Sequence, residues 1–233
     1  MHINSSVLLV GSGRLAKHLL YWNSLLEKPN QVYQWSRNQS SEQLESYLQK
    51  SNIVWLAISD SSLVEFYETH LQSAGKTVVH FSGALNNSKM LCAHPLMSFP
   101  SELLPTDVYA KIYFALCNCN NLEQALPSFK NAFKILNSQD KALYHALCVL
   151  AGNFPQMLWN EVSEKMQLLE IPEASLDLYI KQITENYLKY KSKAITGPII
   201  RKDEKTILAN LESLKNEIRL KSIYSTFNKE FNI

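Results

Sequence analysis

Over the first half of the chain, short apolar runs alternate with segments of helical spacing. Val7 to Val10 reads as a buried parallel strand that stops at Gly11. From there Leu15, Ala16, Leu19 and Leu20 recur on one helix face. The pattern predicts further strands at Gln31 to Ser36, Asn52 to Ile58, Lys76 to Phe81, Met90 to Pro95 and Lys111 to Leu116, the last of these closing the strand series. Helices are predicted between them over Ser40 to Gln49 and Leu63 to Gln72, and after them over Leu122 to Leu136. Ser59 and Asp60 suit the cap of the second of these helices.

The period changes near Asn137 to Asp140, and no strand is predicted beyond it. Lys141 to Leu169 reads as one long helix with a kink near Asn153, because Pro155 lacks the N–H that a helix interior needs. Pro172 opens a helix running to about Lys189, Thr196-Gly197-Pro198 forms a turn, and Asp203 caps a helix reaching Lys215. Glu217 to Phe231 is the last. The expected fold is therefore an α/β Rossmann-like domain, 1–139, followed by an all-helical domain, 140–233.

The strand, turn and helix at the start carry the spacing Gly11-x-Gly13-x-x-Ala16. In a dinucleotide site the first glycine makes the tight turn. The second admits the pyrophosphate to the backbone, and the third small residue lets the helix pack on its strand. The helix N-terminus offers free N–H groups and partial positive charge to the pyrophosphate. Gly11, Ser12, Gly13, Arg14 and Leu15 are the expected cofactor contacts. At the end of the second predicted strand stand Ser36 and Arg37, and no acid occurs between Glu27 and Glu42. An NAD site wants a carboxylate there for the ribose 2′-hydroxyl, whereas a guanidinium suits a 2′-phosphate. The expectation is NADP(H). Ser59, Asp60, Ser82 and Gly83 fall at the carboxyl ends of later strands, where ligands of open parallel sheets bind.

Composition narrows the classes. The chain has 233 residues, 46% hydrophobic and 19% charged, which places it with folded globular proteins rather than disordered ones. No apolar run is long enough to span a membrane and no signal-type segment opens the chain, so a cytoplasmic protein without a membrane partner is expected. The four cysteines and the histidines lack zinc spacing, so no metal is expected. From Lys181 onward eleven Lys and Arg stand against six Asp and Glu. Their interspersion with acids and apolar residues reads as a solvated helix face rather than a nucleic-acid surface. The helix after Asp140 is apolar on more than one face, through Leu143, Leu147, Val149, Leu150, Phe154, Met157, Leu158 and Trp159, which predicts a two-fold homodimer.

Several stretches together resemble a known family. They are Gly11-Ser-Gly13-Arg-Leu-Ala16, Ser36-Arg37, Val79-His80-Phe-Ser82-Gly83, His94-Pro95-Leu-Met-Ser-Phe99, Asn153-Phe154, Thr196-Gly-Pro-Ile-Ile-Arg201-Lys-Asp203 and Ile223-Tyr224. The chain resembles, over nearly its whole length, the bacterial family that joins a Rossmann-like NADP-binding domain to a helical domain of unknown function. That family is similar to NADP–deazaflavin oxidoreductases, pyrroline carboxylate reductases and phosphogluconate dehydrogenase-like reductases. The resemblance implies an NADP(H)-dependent oxidoreductase that moves hydride to or from a small carbonyl or imine compound.

One departure matters. Related reductases place a catalytic Lys one turn before an Asn on the first long helix of the helical domain; here Asn153 is present but Val149 holds the lysine's place. A histidine is then the candidate proton donor, since its ordinary pKa lies near working pH. His94 is the first choice, with His145 and His80 behind it. Asn153 is a candidate for positioning a carbonyl, and Thr196 and Arg201 for binding the substrate, the arginine through a carboxylate or phosphate. The alternative reading is an NADP(H)-binding sensor or scaffold without turnover.

Overall fold

A computed structural model describes residues 5–231. Its centre is a seven-stranded sheet of order β2-β1-β3-β4-β5-β6-β7. The strands are β1 (Ser6–Val10), β2 (Gln31–Trp35), β3 (Ile53–Leu56), β4 (Thr77–His80), β5 (Leu91–Pro95), β6 (Phe114–Cys117) and β7 (Phe133–Ile135). All neighbouring pairs are parallel except β5 and β6, which run antiparallel. The helices of this part are α1 (Arg14–Ser24), α2 (Ser41–Lys50), α3 (Asp60–Phe66), α4 (Thr106–Tyr109), α5 (Leu122–Ala125) and α6 (Lys141–Cys148). By contacts the chain divides into two units, 1–156 and 157–233.

The central strands are apolar on both faces, as strands covered by helices must be. On one face Val7, Leu9, Trp55, Val79, Ala93, Phe114 and Leu116 pack with Ala16, Leu19 and Trp22 of α1 and with Leu122 and Ala125 of α5. On the other, Leu8, Val10, Val54, Leu56 and Val78 pack with Leu44 of α2 and Leu63 of α3. Strand alternation carries this second face on through His80, Cys92, His94, Ala115 and Cys117, so toward β6 it turns from apolar to titratable.

Two expectations for the first unit need correction. The predicted helix over Leu122 to Leu136 ends at Ala125, because Pro127 disfavours helical backbone at Leu126, which sits at φ −132° and ψ 80°. The chain then forms β7, which pairs in parallel with β6 through Phe114↔Phe133 and Leu116↔Ile135. The strand series therefore does not close at Leu116, and its last predicted member begins only at Phe114.

The long helix after Asp140 is present, with its axis interrupted where Pro155 demands it. α6 passes into a five-residue π turn, Val149–Asn153, before α7 (Phe154–Leu168). A proline cannot bond to the carbonyl four residues back, and a wider turn there accommodates the loss. A similar π turn, Tyr67–Leu71, extends α3.

In the second unit, α8 (Glu173–Tyr190), α9 (Glu204–Ser213) and α10 (Ile218–Phe231) follow. The Asp203 carboxylate caps α9 by accepting from the Thr206 N–H at 3.1 Å. Arg219 and Glu161 pair at 2.8 Å, as do Lys165 and Glu217, tying α10 and the segment before it to α7. No helix among the described residues is long and apolar enough to cross a membrane.

Candidate functional site

The turn after β1 needs its two glycines for different reasons. Gly11 has φ 125°, which L side chains rarely adopt, and a Cβ there would overlap the Ala57 carbonyl at the end of β3. Its N–H donates to the Trp35 carbonyl at 2.8 Å, and its carbonyl accepts from Gln34 Nε2 at 2.8 Å. Gly13 is unstrained and would project a side chain into open space. It precedes α1 without a side-chain cap, and no acid stands in the first turn of that helix. The first N–H groups of α1 are therefore available to an anion. Ala16 is fully buried against the sheet.

In front of this turn lies a cavity of about 710 Å³. Gly11, Ser12, Gly13, Arg14, Leu15, Ser36, Arg37 and Ser59 all line it, with no Asp or Glu among the lining residues. Arg37 is exposed there. Part of its lining is aromatic: Trp35 and Phe66 lie with ring centroids 5.8 Å apart, and Phe66 and His70 4.7 Å apart. These aromatic residues were invisible to the motif, although Phe66 and His70 are one helical turn apart.

Asp60, Ser82 and Gly83 do not line this cavity. Asp60 is the first residue of α3 and accepts a 2.6 Å hydrogen bond from Ser82 Oγ, which joins the ends of β3 and β4. The same hydroxyl accepts from the Leu85 N–H at 2.9 Å. Gly83 borders a second group of side chains. A Cβ on it would stand 2.5 Å from His145 Nδ1 and 3.0 Å from His94 Nε2. Glycine is required here by space, since two imidazole nitrogens occupy the room.

This second group fills the titratable face of β4, β5 and β6 beneath α6. One stripe of α6 supplies Lys141, Tyr144, His145 and Cys148, at the i, i+3, i+4, i+7 spacing of a single face. Tyr144 Oη lies 2.8 Å from His94 Nδ1. Lys141 is 2% exposed, and its Nζ donates to the Leu85 carbonyl and to Cys92 Sγ, the latter at 3.1 Å. Sequence reasoning looked for a lysine one turn before Asn153 and missed Lys141. The polar stripe within an otherwise apolar helix was the signal available.

Electrostatics sort the histidines. Burial, then the charges of His145 and Lys141, push His94 down to about 4, against a smaller opposing effect of Asp60. Burial, then Lys141 and His94, push His80 down to about 3. Both imidazoles are neutral at neutral pH, so the ordinary histidine pKa assumed from sequence does not apply to them. Burial and the contact with Cys148 push the Tyr144 phenol up, so it keeps its proton. Tyr144 is thus the donor and His94 Nδ1 the acceptor, which leaves the imidazole proton on Nε2, the nitrogen beside Gly83. By the same reasoning His80 Nδ1 accepts from the Ser82 N–H at 3.2 Å and carries its proton on Nε2. His145 Nδ1 is buried with no hydrogen-bond partner.

Asn153 ends the π turn and is exposed. In the second unit Thr196 and Arg201 are exposed, the latter in a loop where its N–H donates to the Gly197 carbonyl at 3.1 Å. Hydrogen bonds from Thr206, then the Arg201 charge, hold the Asp203 carboxyl below its usual value. No group of three or more His, Cys, Asp or Glu among the described residues could hold a metal ion.

Residues 118–231 match the family described as a domain of unknown function, DUF2520. No curated protein matches the sequence. Among solved structures, a candidate NADP oxidoreductase from Bacteroides fragilis is similar with TM-score 0.76 and 18% identity, covering 98% of each chain. A Thermotoga maritima protein is similar with TM-score 0.70 and 21% identity, covering 97% of this chain and 96% of that one. A Plasmodium falciparum pyrroline carboxylate reductase with NADP bound is similar with TM-score 0.58 and 12% identity, covering 99% of this chain and 98% of that one. The chain thus joins a DUF2520 match over residues 118–231 to the Rossmann-like sheet and helical C-terminal part of the fold that these oxidoreductases and reductases share.

Proposed function

We propose that the protein is an NADP(H)-dependent reductase of a small carbonyl or imine compound. The observation that carries this reading is the cavity at the glycine turn, which offers backbone N–H groups, Ser36 and Arg37 to phosphates and no carboxylate to repel them. Gly11, Ser12, Gly13, Arg14 and Leu15 hold the pyrophosphate. Ser36 and Arg37 hold the 2′-phosphate, and Ser59, Asp60, Ser82 and Gly83 border the path from there to the reacting end. The nicotinamide supplies the hydride when bound. The protein's own task is to polarise the acceptor and deliver a proton. His94, neutral and turned by Tyr144, presents Nε2–H as a hydrogen-bond donor to the substrate oxygen or nitrogen. His145, whose Nδ1 is buried beside Gly83 without a partner, is the proton donor. Asn153 orients the substrate.

The active unit is a homodimer in the cytoplasm. Leu143, Leu147, Leu150, Phe154 and Met157 are each more than half exposed in the single chain, a run of apolar surface that a second copy would cover.

The test is a panel of keto acids, imines and aldehydes with NADPH, followed at the nicotinamide absorbance. A reduced member is expected, with His145→Ala lowering turnover roughly 10²–10⁴-fold and NADPH affinity unchanged. Tight NADPH binding with no turnover across the panel would overturn the enzyme reading and leave a nucleotide sensor.

A further inference from the structure

Lys141 takes no part in the chemistry proposed above, yet it is 2% exposed on α6. No carboxylate lies within salt-bridge distance of its Nζ among the described residues. A buried ammonium is unfavourable unless its N–H groups are hydrogen-bonded, so its acceptors show what it holds. One is the Leu85 carbonyl, in the turn that leaves β4. The other is Cys92 Sγ of β5, at 3.1 Å. A single side chain of α6 thus fastens a turn and a strand.

Ser82 grips the same turn from its other end. Its Oγ donates to Asp60 Oδ2 at 2.6 Å and accepts from the Ala84 and Leu85 N–H groups at 3.2 and 2.9 Å. Its N–H donates to His80 Nδ1 at 3.2 Å, and its carbonyl accepts from Cys92 Sγ at 3.5 Å. Two routes therefore join Lys141 to Ser82, one through Leu85 and one through the Cys92 sulfur. Beyond Ser82 stands Asp60, whose neighbour Ser59 lines the cavity at the glycine turn. Hydrogen bonds run without a break from α6 to the edge of that cavity.

Gly83 lies inside the clamped turn and is packed against His145 Nδ1 and His94 Nε2, so the turn cannot shift without disturbing both rings. His145 is one turn from Lys141 on the same face of α6. His94 is two residues from Cys92 on the same face of β5. Lys141 is bonded to the strand that carries one ring, stands on the helix that carries the other, and holds the turn that both rings touch.

We propose that Lys141 is a positioning residue of the reductase, holding the His94 and His145 rings at Gly83 by fastening α6 to the Ser82–Leu85 turn and to β5. The proposal rests on the reductase reading. Lys141 itself passes no proton to substrate, because its Nζ is enclosed and its acceptors are fixed groups of the protein. An ammonium suits the task, since charge-assisted hydrogen bonds are about twice as strong as neutral ones.

The experiment uses the full-length protein and two variants. Lys141→Met keeps the length of the side chain and removes its donors. Hydrogen exchange of the peptide carrying Ser82–Leu85 should then speed about tenfold or more, with the peptides of β1 and α1 unchanged. Imidazole nitrogen signals of His94 and His145 should move or broaden. The signal of His18, bonded to Tyr109 and Pro100, should stay in place. With the substrate reduced in the panel, kcat should fall roughly 10–100-fold while the KM for NADPH stays within about twofold. Ser82→Ala releases the turn from its other end without removing the charge, and should move the same two imidazole signals; it carries the test if Lys141→Met does not fold. Unchanged exchange of the turn in a folded Lys141→Met would overturn the proposal. So would imidazole signals that ignore Ser82→Ala, which would leave an effect of charge alone, or a loosened turn with kcat as in wild type. If no substrate is reduced, the reductase reading fails by itself. The exchange and imidazole measurements need neither nucleotide nor turnover, and they still decide whether Lys141 places the two rings.

Discussion

Gly11 and Gly13 are separated by one residue, yet substitution should injure different properties. Gly11→Ala places a Cβ against the Ala57 carbonyl at a backbone angle that disfavours it, so stability should fall by about 1–3 kcal/mol, measured by denaturant unfolding. Gly13→Val meets no neighbour and no strain, so folding should be preserved while NADPH binding is lost, because the side chain fills the space before α1. Arg37→Ala should weaken NADPH by about 1.5–3 kcal/mol and leave NADH almost unaffected, as calorimetric titration of both nucleotides would show. Equal wild-type affinity for the two would sink the assignment of Arg37 to the 2′-phosphate. At this scale the motif residues were legible in the sequence, because backbone freedom and side-chain absence are properties of single positions. The protonation state of His94 was not. Its ordinary pKa argued for an acid, and only its burial beside Lys141 and His145 makes its imidazole neutral.

α6 shows what an element adds. Its side chains make a polar layer against β4, β5 and β6, where the rest of that sheet face is apolar. Such a layer is acid-labile, and the sign follows from the histidines. His80 at about 3 and His94 at about 4 lie below the unfolded value near 6.5, so the unfolded chain binds more protons in this window. Their contribution is complete above about pH 6.5 and is lost as pH falls toward the folded values. By about pH 4 each should have cost roughly 3 kcal/mol, a large part of the 5–15 kcal/mol typical of a domain. Chemical denaturation at a series of pH values should show stability falling below pH 6.5, more steeply in wild type than in His80→Gln. Tyr144→Phe should move the His94 proton partly to Nδ1, visible in imidazole nitrogen shifts, and lower turnover without changing NADPH affinity. The helix was readable from its spacing. Its lysine went unrecognised, since a position at the start of a helix does not reveal what the side chain will meet across the sheet.

For the whole molecule, the exposed apolar residues of α6, the π turn and α7 set the expectation. Light scattering at micromolar concentration should give the mass of a dimer, and Leu147→Glu with Leu150→Glu should shift it to monomer with the sheet domain still folded. A wild-type monomer at that concentration would contradict the assembly.

Several features follow from the sequence alone: the strand–turn–helix with its glycines, the Arg at the second strand end, the interruption of the long helix before Pro155 and the Asp203 cap. Each depends on neighbours within a turn or two, so local sterics and hydrogen bonding decide it. Tertiary structure decided the rest. β7 exists because Pro127 ended a helix and the edge of β6 offered a partner to Phe133–Ile135. The layer of His80, Cys92, His94, Cys117, Lys141, Tyr144 and His145 draws on three strands and a helix separated by up to 65 positions in the chain. Its proton affinities come from shared burial and mutual charge, which arise only when those distant residues are brought together.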